Sequence, residues 1–188
     1  MRARVTAAAL ALTTGAALLI ITQATADESA GPSSWCTRQG GSPGAYRAYY
    51  DNGARLTPLG TIRDLCHFRA KDGSRIVLPT DTLAADAPTL ASLAYKRKPP
   101  LPAHPVGNPS AAYCAKLGGT TQFGEGKPDV GGWIRKGDPV DRGHLHNMCM
   151  FADGSAIDAW GLTYHTGGVI RGADLENKFR AHIPPAVK

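Results

Sequence analysis

Apolar and polar positions change rhythm several times along this chain, and each change marks a short element. From Val5 to Ile21 there is no alternation, only a nearly continuous apolar run behind Arg2 and Arg4 and ahead of Ala24-Thr25-Ala26. A basic start, such a run and an A-x-A site predict a cleaved secretory leader over residues 1–26, cut near Ala26. Thr13, Thr14 and Gly15 dilute the run below what a membrane span needs. No cysteine flanks the cut to carry a lipid, so the mature chain is expected to be released.

The rhythm is clearest after residue 107. Asn108 suits an N-cap and Pro109 the first helical position, so Ser110 to Leu117 are expected to form a helix closed by Gly118. Cys114 shares a face of that helix with Ala111 and Leu117. Met148 to Ala152 read as a strand, Asp153-Gly154 as a tight turn and Ser155 to Ile157 as the return. Asp158 then caps a short helix in which Trp160 and Tyr164 stack at i, i+4, ending at Gly167-Gly168. Leu175 and Phe179 predict one last amphipathic turn.

The first half repeats this loosely. Pro32 precedes a helix with Trp35 and Cys36, closed by Gly40-Gly41. Leu65 to Phe68 start a hairpin whose turn, at Asp72-Gly73, reads as two residues longer than its counterpart. Ile76 to Leu78 return, and Thr89 caps a helix with Leu90 and Leu93. Between the halves, Lys96 to Val106 hold four prolines and predict an extended connector rather than a helix. The expected fold class is α+β, with two small related helix–hairpin–helix units at 31–97 and 107–183 and a Pro-rich linker at 98–106. Whether the units stand apart or form two lobes of one body is open at this stage.

The cysteines sharpen the repetition. Cys36 and Cys114 each open C-x-x-x-G-G, and Cys66 and Cys149 each open C-x-F followed by Asp-Gly-Ser. Four cysteines permit three pairings, and the repeat selects Cys36–Cys66 with Cys114–Cys149. Export puts them where disulfides persist. Loops of 31 and 36 residues would each contribute about 3–4 kcal/mol through loop entropy.

Charge narrows the partners. Without residues 1–26 the chain has 162 residues, 19 basic and 15 acidic, a balance of +4. That lacks the strong single-sign field of a nucleic-acid binder. No long amphipathic helix suggests membrane insertion, and the protein is expected to act as a monomer without a cofactor.

The run Asn108-Pro109-x-x-x-Tyr113-Cys114-x-x-x-Gly118-Gly119, then Cys149-x-Phe151-x-Asp153-Gly154-Ser155 and Asp158-x-Trp160, resembles an exported bacterial family. It is catalogued as domain of unknown function number 333, and its members often carry a haemolysin label. The likeness covers about 108–165, with a weaker echo in 33–78. It implies export and a small disulfide-tied α+β domain, and no established activity. Family members commonly carry a second cysteine pair; here Ile157 stands at the first of those positions and no cysteine follows Cys149. The loss of both supports Cys114–Cys149 as the remaining bridge. The chain also departs by an insertion-like stretch, Gly131 to Asn147.

That stretch holds the candidate chemistry. Asp141-Arg142-Gly143-His144 is similar to the D-R-G-H motif of ββα-metal nucleases; the likeness makes His144 the general base and Asn177 the metal ligand. His144 and His146 form H-x-H, and with Asp141 and His165 they offer a ligand set for Zn²⁺ or Cu²⁺. Full disulfide pairing leaves no thiolate for cysteine catalysis. Ser155 lacks a nucleophile elbow, and Asp153 and Asp158 are assigned to a turn and a cap. Trp160 is expected in the core. Trp133, between Gly131-Gly132 and Ile134-Arg135-Lys136, is expected in an exposed basic-aromatic loop. The function expected from these residues is non-catalytic recognition of an extracellular protein or envelope component. Trp133, Arg135, Lys136, Arg142, His144 and His146 form the contact surface; a metal-dependent nuclease and a histidine metal binder are the alternatives.

Overall fold

Most helices and strands are short because turn residues interrupt the chain, the exceptions being two paired strands of 10 and 14 residues. The computed structural model describes residues 31–101, 103–104, 106–121, 130–165 and 172–184; the stretch expected to be a leader and Gly167-Gly168 lie outside them. The elements are α1 (Pro32–Arg38), β1 (Ser42–Asp51), β2 (Leu56–Arg69), β3 (Arg75–Pro79), α2 (Thr80–Leu83), α3 (Leu90–Arg97), α4 (Pro109–Lys116), β4 (Thr120–Thr121), β5 (Val130–Arg135), β6 (Met148–Met150), β7 (Ala156–Asp158) and α5 (Ala159–Thr163). A 3₁₀ turn spans Arg142–His144. The architecture is mixed α+β, with two sheets and two disulfides, Cys36–Cys66 and Cys114–Cys149.

One sheet runs β3-β2-β1-β5 and the other β4-β6-β7, with antiparallel neighbours throughout. The bridge Trp133↔His146 links them. The long β1–β2 hairpin has a clear local cause. Along β1, Tyr46 and Ala48 face the interior while Arg47 and Tyr49 face out, the period-two pattern of a half-buried strand. Asn52 accepts the amides of Ala54 and Arg55 to close the turn.

The second glycine of each Gly-Gly pair makes room for sulfur. A Cβ on Gly119 would lie 2.5 Å from Cys149 Sγ and 2.9 Å from Cys114 Sγ, and one on Gly41 would press on Cys66 and Cys36 in the same way. The registers match as well: Pro43 faces Cys66 as Thr121 faces Cys149, and Cys66 faces Leu78 as Cys149 faces Ile157. The turns also agree. Gly73 donates to Ala70 and Gly154 to Phe151, each at 3.0 Å. The two extra residues expected in the first turn lie instead in the strands before it, where β2 runs on to Arg69.

The linker boundary separates two stretches of sequence but not two cores. β5, from the second half, pairs with β1 from the first. One apolar cluster takes Cys36, Phe68, Leu78 and Tyr95 together with Tyr113, Cys149, Ile157 and Leu162. Lys96 and Arg97, expected in the extended connector, finish α3, which turns off at Lys98 with φ of 40°. The connector is then pinned to α4, where Tyr113 Oη donates to Pro99 O at 2.8 Å and Lys116 Nζ to Pro100 O at 2.7 Å. Leu175 and Phe179 are buried, but their segment makes an isolated turn rather than a helix. No helix among the described residues is long and apolar enough to cross a membrane.

Candidate ligand-binding surface

The stretch expected to be an exposed loop is largely structure. Val130–Arg135 form strand β5, and Trp133 lies opposite Ala48 with 5% of its surface exposed. The Gly131-Gly132 setting that suggested a loop serves close approach. A Cβ on Gly132 would fall 2.5 Å from His146 O and 2.9 Å from Leu145 Cγ, so only glycine lets the returning chain lie there. Trp133 and His146 exchange backbone hydrogen bonds at 2.8 and 2.9 Å. Trp133 is therefore a core residue and is withdrawn from the contact surface.

The next residues fold back over the outer face of β1 and β5. Asp138 N donates to Arg135 O at 3.1 Å and Gly137 takes φ of 98°, which turns the chain; Lys136 N is tied to Ala45 O at 2.8 Å. Further on, Arg142 grips Asp51 with both prongs of its guanidinium, at 2.7 and 2.8 Å, and donates to Gly53 O at 2.8 Å. Asp51 is 1% exposed, and its hydrogen bond with Arg142 holds its carboxyl below the usual range. Arg142 thus fastens this segment to the β1–β2 turn rather than waiting for a partner.

His144 and His146 part company. Asp141 accepts from His144 N at 3.1 Å and contacts Nδ1 at 2.8 Å, leaving the His144 side chain 38% exposed. That contact also holds the Asp141 carboxyl low. His146, 6% exposed, faces inward with its Nδ1 3.7 Å from Asp158 Oδ2 and its ring beside those of Tyr46 and His67. The same-face arrangement expected of H-x-H fails because His144 sits in a 3₁₀ turn and not on a strand. His165 is elsewhere again, stacked on Tyr95, with Nδ1 2.8 Å from the phenol oxygen and Nε2 3.6 Å from Asp174. No group of three His, Cys, Asp or Glu residues among those described could hold a metal ion. Asn177 lies in the turn that Glu176 anchors to Lys96 of α3, whereas His144 lies over β5.

Two histidines, His67 half-buried and His165 buried, are held neutral. Burial, then the neighbouring His146, lowers His67 to about 4. Burial, then Lys98, lowers His165 to about 4. Asp153, Ser155 and Asp158 occupy the turn and cap positions expected of them; Trp160, expected in the core, is instead half-buried and stacks on Tyr164 with centroids 5.6 Å apart.

What the folded-back segment does create is a cavity of about 230 Å³ on the outer face, lined by Arg47, Tyr49, Ile134 and Arg135 of the strands and by Lys136, Gly137, Asp138 and Val140 of the returning segment. Arg135 and Lys136, expected at a contact surface, meet here. Arg47 and Tyr49 had no motif to announce them; the alternation of β1 and the Asp51-Asn52-Gly53 turn signal were the available clues. Exposed apolar residues flank the area, Ile62 directly opposite Arg47 in β2, and Val140. Comparison of the chain with family models, curated proteins and solved structures gives no match.

Proposed function

We propose that this is a secreted, monomeric recognition protein built from two related, disulfide-stapled units, binding an extracellular protein or envelope component through the outer face of β1 and β5. The observation that carries the reading is the convergence of Arg47, Arg135 and Lys136 with Tyr49 around one open cavity. Such a set of cations and an aromatic, held on strands rather than on a free loop, is what recognition at a rigid scaffold uses.

Repetition of a unit is supported by position after position. Tyr46 lies opposite Arg63 and Trp133 opposite His146, each partner three residues before a hairpin cysteine. On that alignment Arg47 corresponds to Ile134, and the two face each other across the β1–β5 pair. The cavity therefore sits on a pseudo-two-fold axis, where duplication gives two edges that pair and one shared face. The disulfides, with the leader and the exported-family likeness expected from the sequence, support an extracellular setting.

Capture from the producing culture with the mature protein tests the reading, using an Arg47→Glu/Lys136→Glu variant as the control. Capture of the same components by both would end it. One observation favours a second reading, a nuclease: the contact of Asp141 with Nδ1 leaves the exposed His144 ring free to present Nε2 as a base. Plasmid nicking with Mg²⁺ that is lost in His144→Ala would establish it, and equal nicking by both proteins would dismiss it.

A further inference from the structure

We infer that the cavity on the outer face accepts the carboxylate of a uronic-acid-type sugar unit. The inference rests on the recognition reading above and narrows its ligand. Three features point to it.

The first is an unsatisfied donor. Arg47 Nε is buried and has no hydrogen-bond partner. A guanidinium nitrogen removed from water asks for an acceptor, and its planar fork matches a carboxylate. The second is the charge of the lining. Arg47, Arg135 and Lys136 stand against Asp138, three cations to one anion, which leaves +2. Arg135 is partly engaged, with Nη2 3.4 Å from Pro43 O and 3.5 Å from Ser42 Oγ. Lys136 and Asp138 enter no ion pair among the described residues. Asp138 opposes a second negative charge on the ligand and can accept from hydroxyls. An anion on a hydroxyl-bearing ring uses the whole set, its carboxylate meeting the cations and its hydroxyls meeting Asp138.

The third feature is size and floor. At about 230 Å³ the cavity lies below the roughly 300–1,000 Å³ of drug-sized sites. It suits a single ring, and Tyr49 and Val140 supply apolar surface for the C–H face of a sugar, with buried Ile134 beneath. The ligand is then one carboxylated residue at an end or branch of an extracellular polysaccharide.

Calorimetric titration of the mature protein with a glucuronate-terminated disaccharide tests the inference, beside the neutral glucose disaccharide, acetate and inorganic phosphate. The expected result is saturable binding of the glucuronate probe, at least tenfold weaker for each of the other three. Arg47→Met should weaken it at least tenfold with Tm unchanged, and Lys136→Met should weaken it by less. Binding of the neutral disaccharide or phosphate as tight as the glucuronate probe, no binding of the glucuronate probe, or full affinity in Arg47→Met overturns the inference. Loss of the sugar result while culture capture still depends on Arg47 and Lys136 would refute the uronate ligand alone and leave the recognition reading standing.

Discussion

The hydroxyl of Ser155 accepts the backbone N–H of Ala91 at 3.0 Å, so a turn from the second half caps a helix of the first. Asp153 completes the cap by accepting Leu90 N at 2.7 Å. The reverse contact is also present, since Ser74 Oγ in the first half accepts Gly172 N at 2.8 Å. Each Asp-Gly-Ser turn therefore faces its own hairpin and the opposite half at once. Asp72 and Asp153 hold the hydroxyl of Ser74 and of Ser155 at 2.6 and 2.5 Å, and the oriented serine receives the foreign amide.

This reciprocity predicts that Ser155→Ala and Asp153→Ala each cost about 1 kcal/mol through lost capping of α3. Thermal unfolding should show a single, earlier transition, because the cap joins the halves. Two separate transitions in either variant would mean that the halves melt independently.

Gly41→Ala and Gly119→Ala place a methyl against the bridging sulfurs. The backbone at each site must shift, and an overpacked core position of this kind costs about 1–3 kcal/mol. Mass mapping without reductant should show slower or incomplete formation of Cys36–Cys66 in the first variant and Cys114–Cys149 in the second. Unchanged oxidation and unchanged Tm in both would show that the sulfur contact is dispensable.

Half-buried His67 and buried His165 predict a pH profile. His67 and His165 stay neutral in the folded chain down to about pH 4, but charge near 6.5 in the unfolded chain. Between those values the unfolded state binds more protons, so stability is complete above about pH 6.5 and falls as pH drops toward 4. The combined loss should be about 2 kcal/mol or more. Chemical denaturation from pH 7.5 to 4 should show the slope, and a His67→Gln/His165→Gln variant should flatten it; an equal slope in that variant would assign the effect elsewhere.

Arg142→Ala removes the two guanidinium hydrogen bonds to the buried carboxylate of Asp51 and leaves it only the one from Gly53 N. Amide exchange at Asp51–Arg55 and at Arg142–Asn147 should accelerate together, since one side chain fastens both segments. Faster exchange in only one of them would place the fastening elsewhere.

Much of the scaffold was legible in the sequence because its elements carry local signals. Asn108 caps α4, Asp158 caps α5 and Thr89 caps α3 as their side-chain chemistry predicts. The β1–β2 hairpin and β5 were missed for different reasons. In β1 the alternation is carried by Tyr46 and Ala48 among polar neighbours, and β2 is mostly exposed until Leu65, so neither looks like a core strand. In β5 the glycines that allow close approach resemble those of a loop. The fate of Trp133 and His146 was set by a bridge between them that no spacing rule encodes. Arg135 and Lys136 were found by composition, whereas Arg47 reached the cavity only through the pairing of β1 with β5.

Capture from the producing culture bears most directly on the central claim that the Arg47–Lys136 face is a recognition surface. The mature protein should retain an extracellular or envelope component that the Arg47→Glu/Lys136→Glu variant does not, while both unfold at the same temperature. Retention of the same components by the two proteins, or of none by either, would contradict the claim.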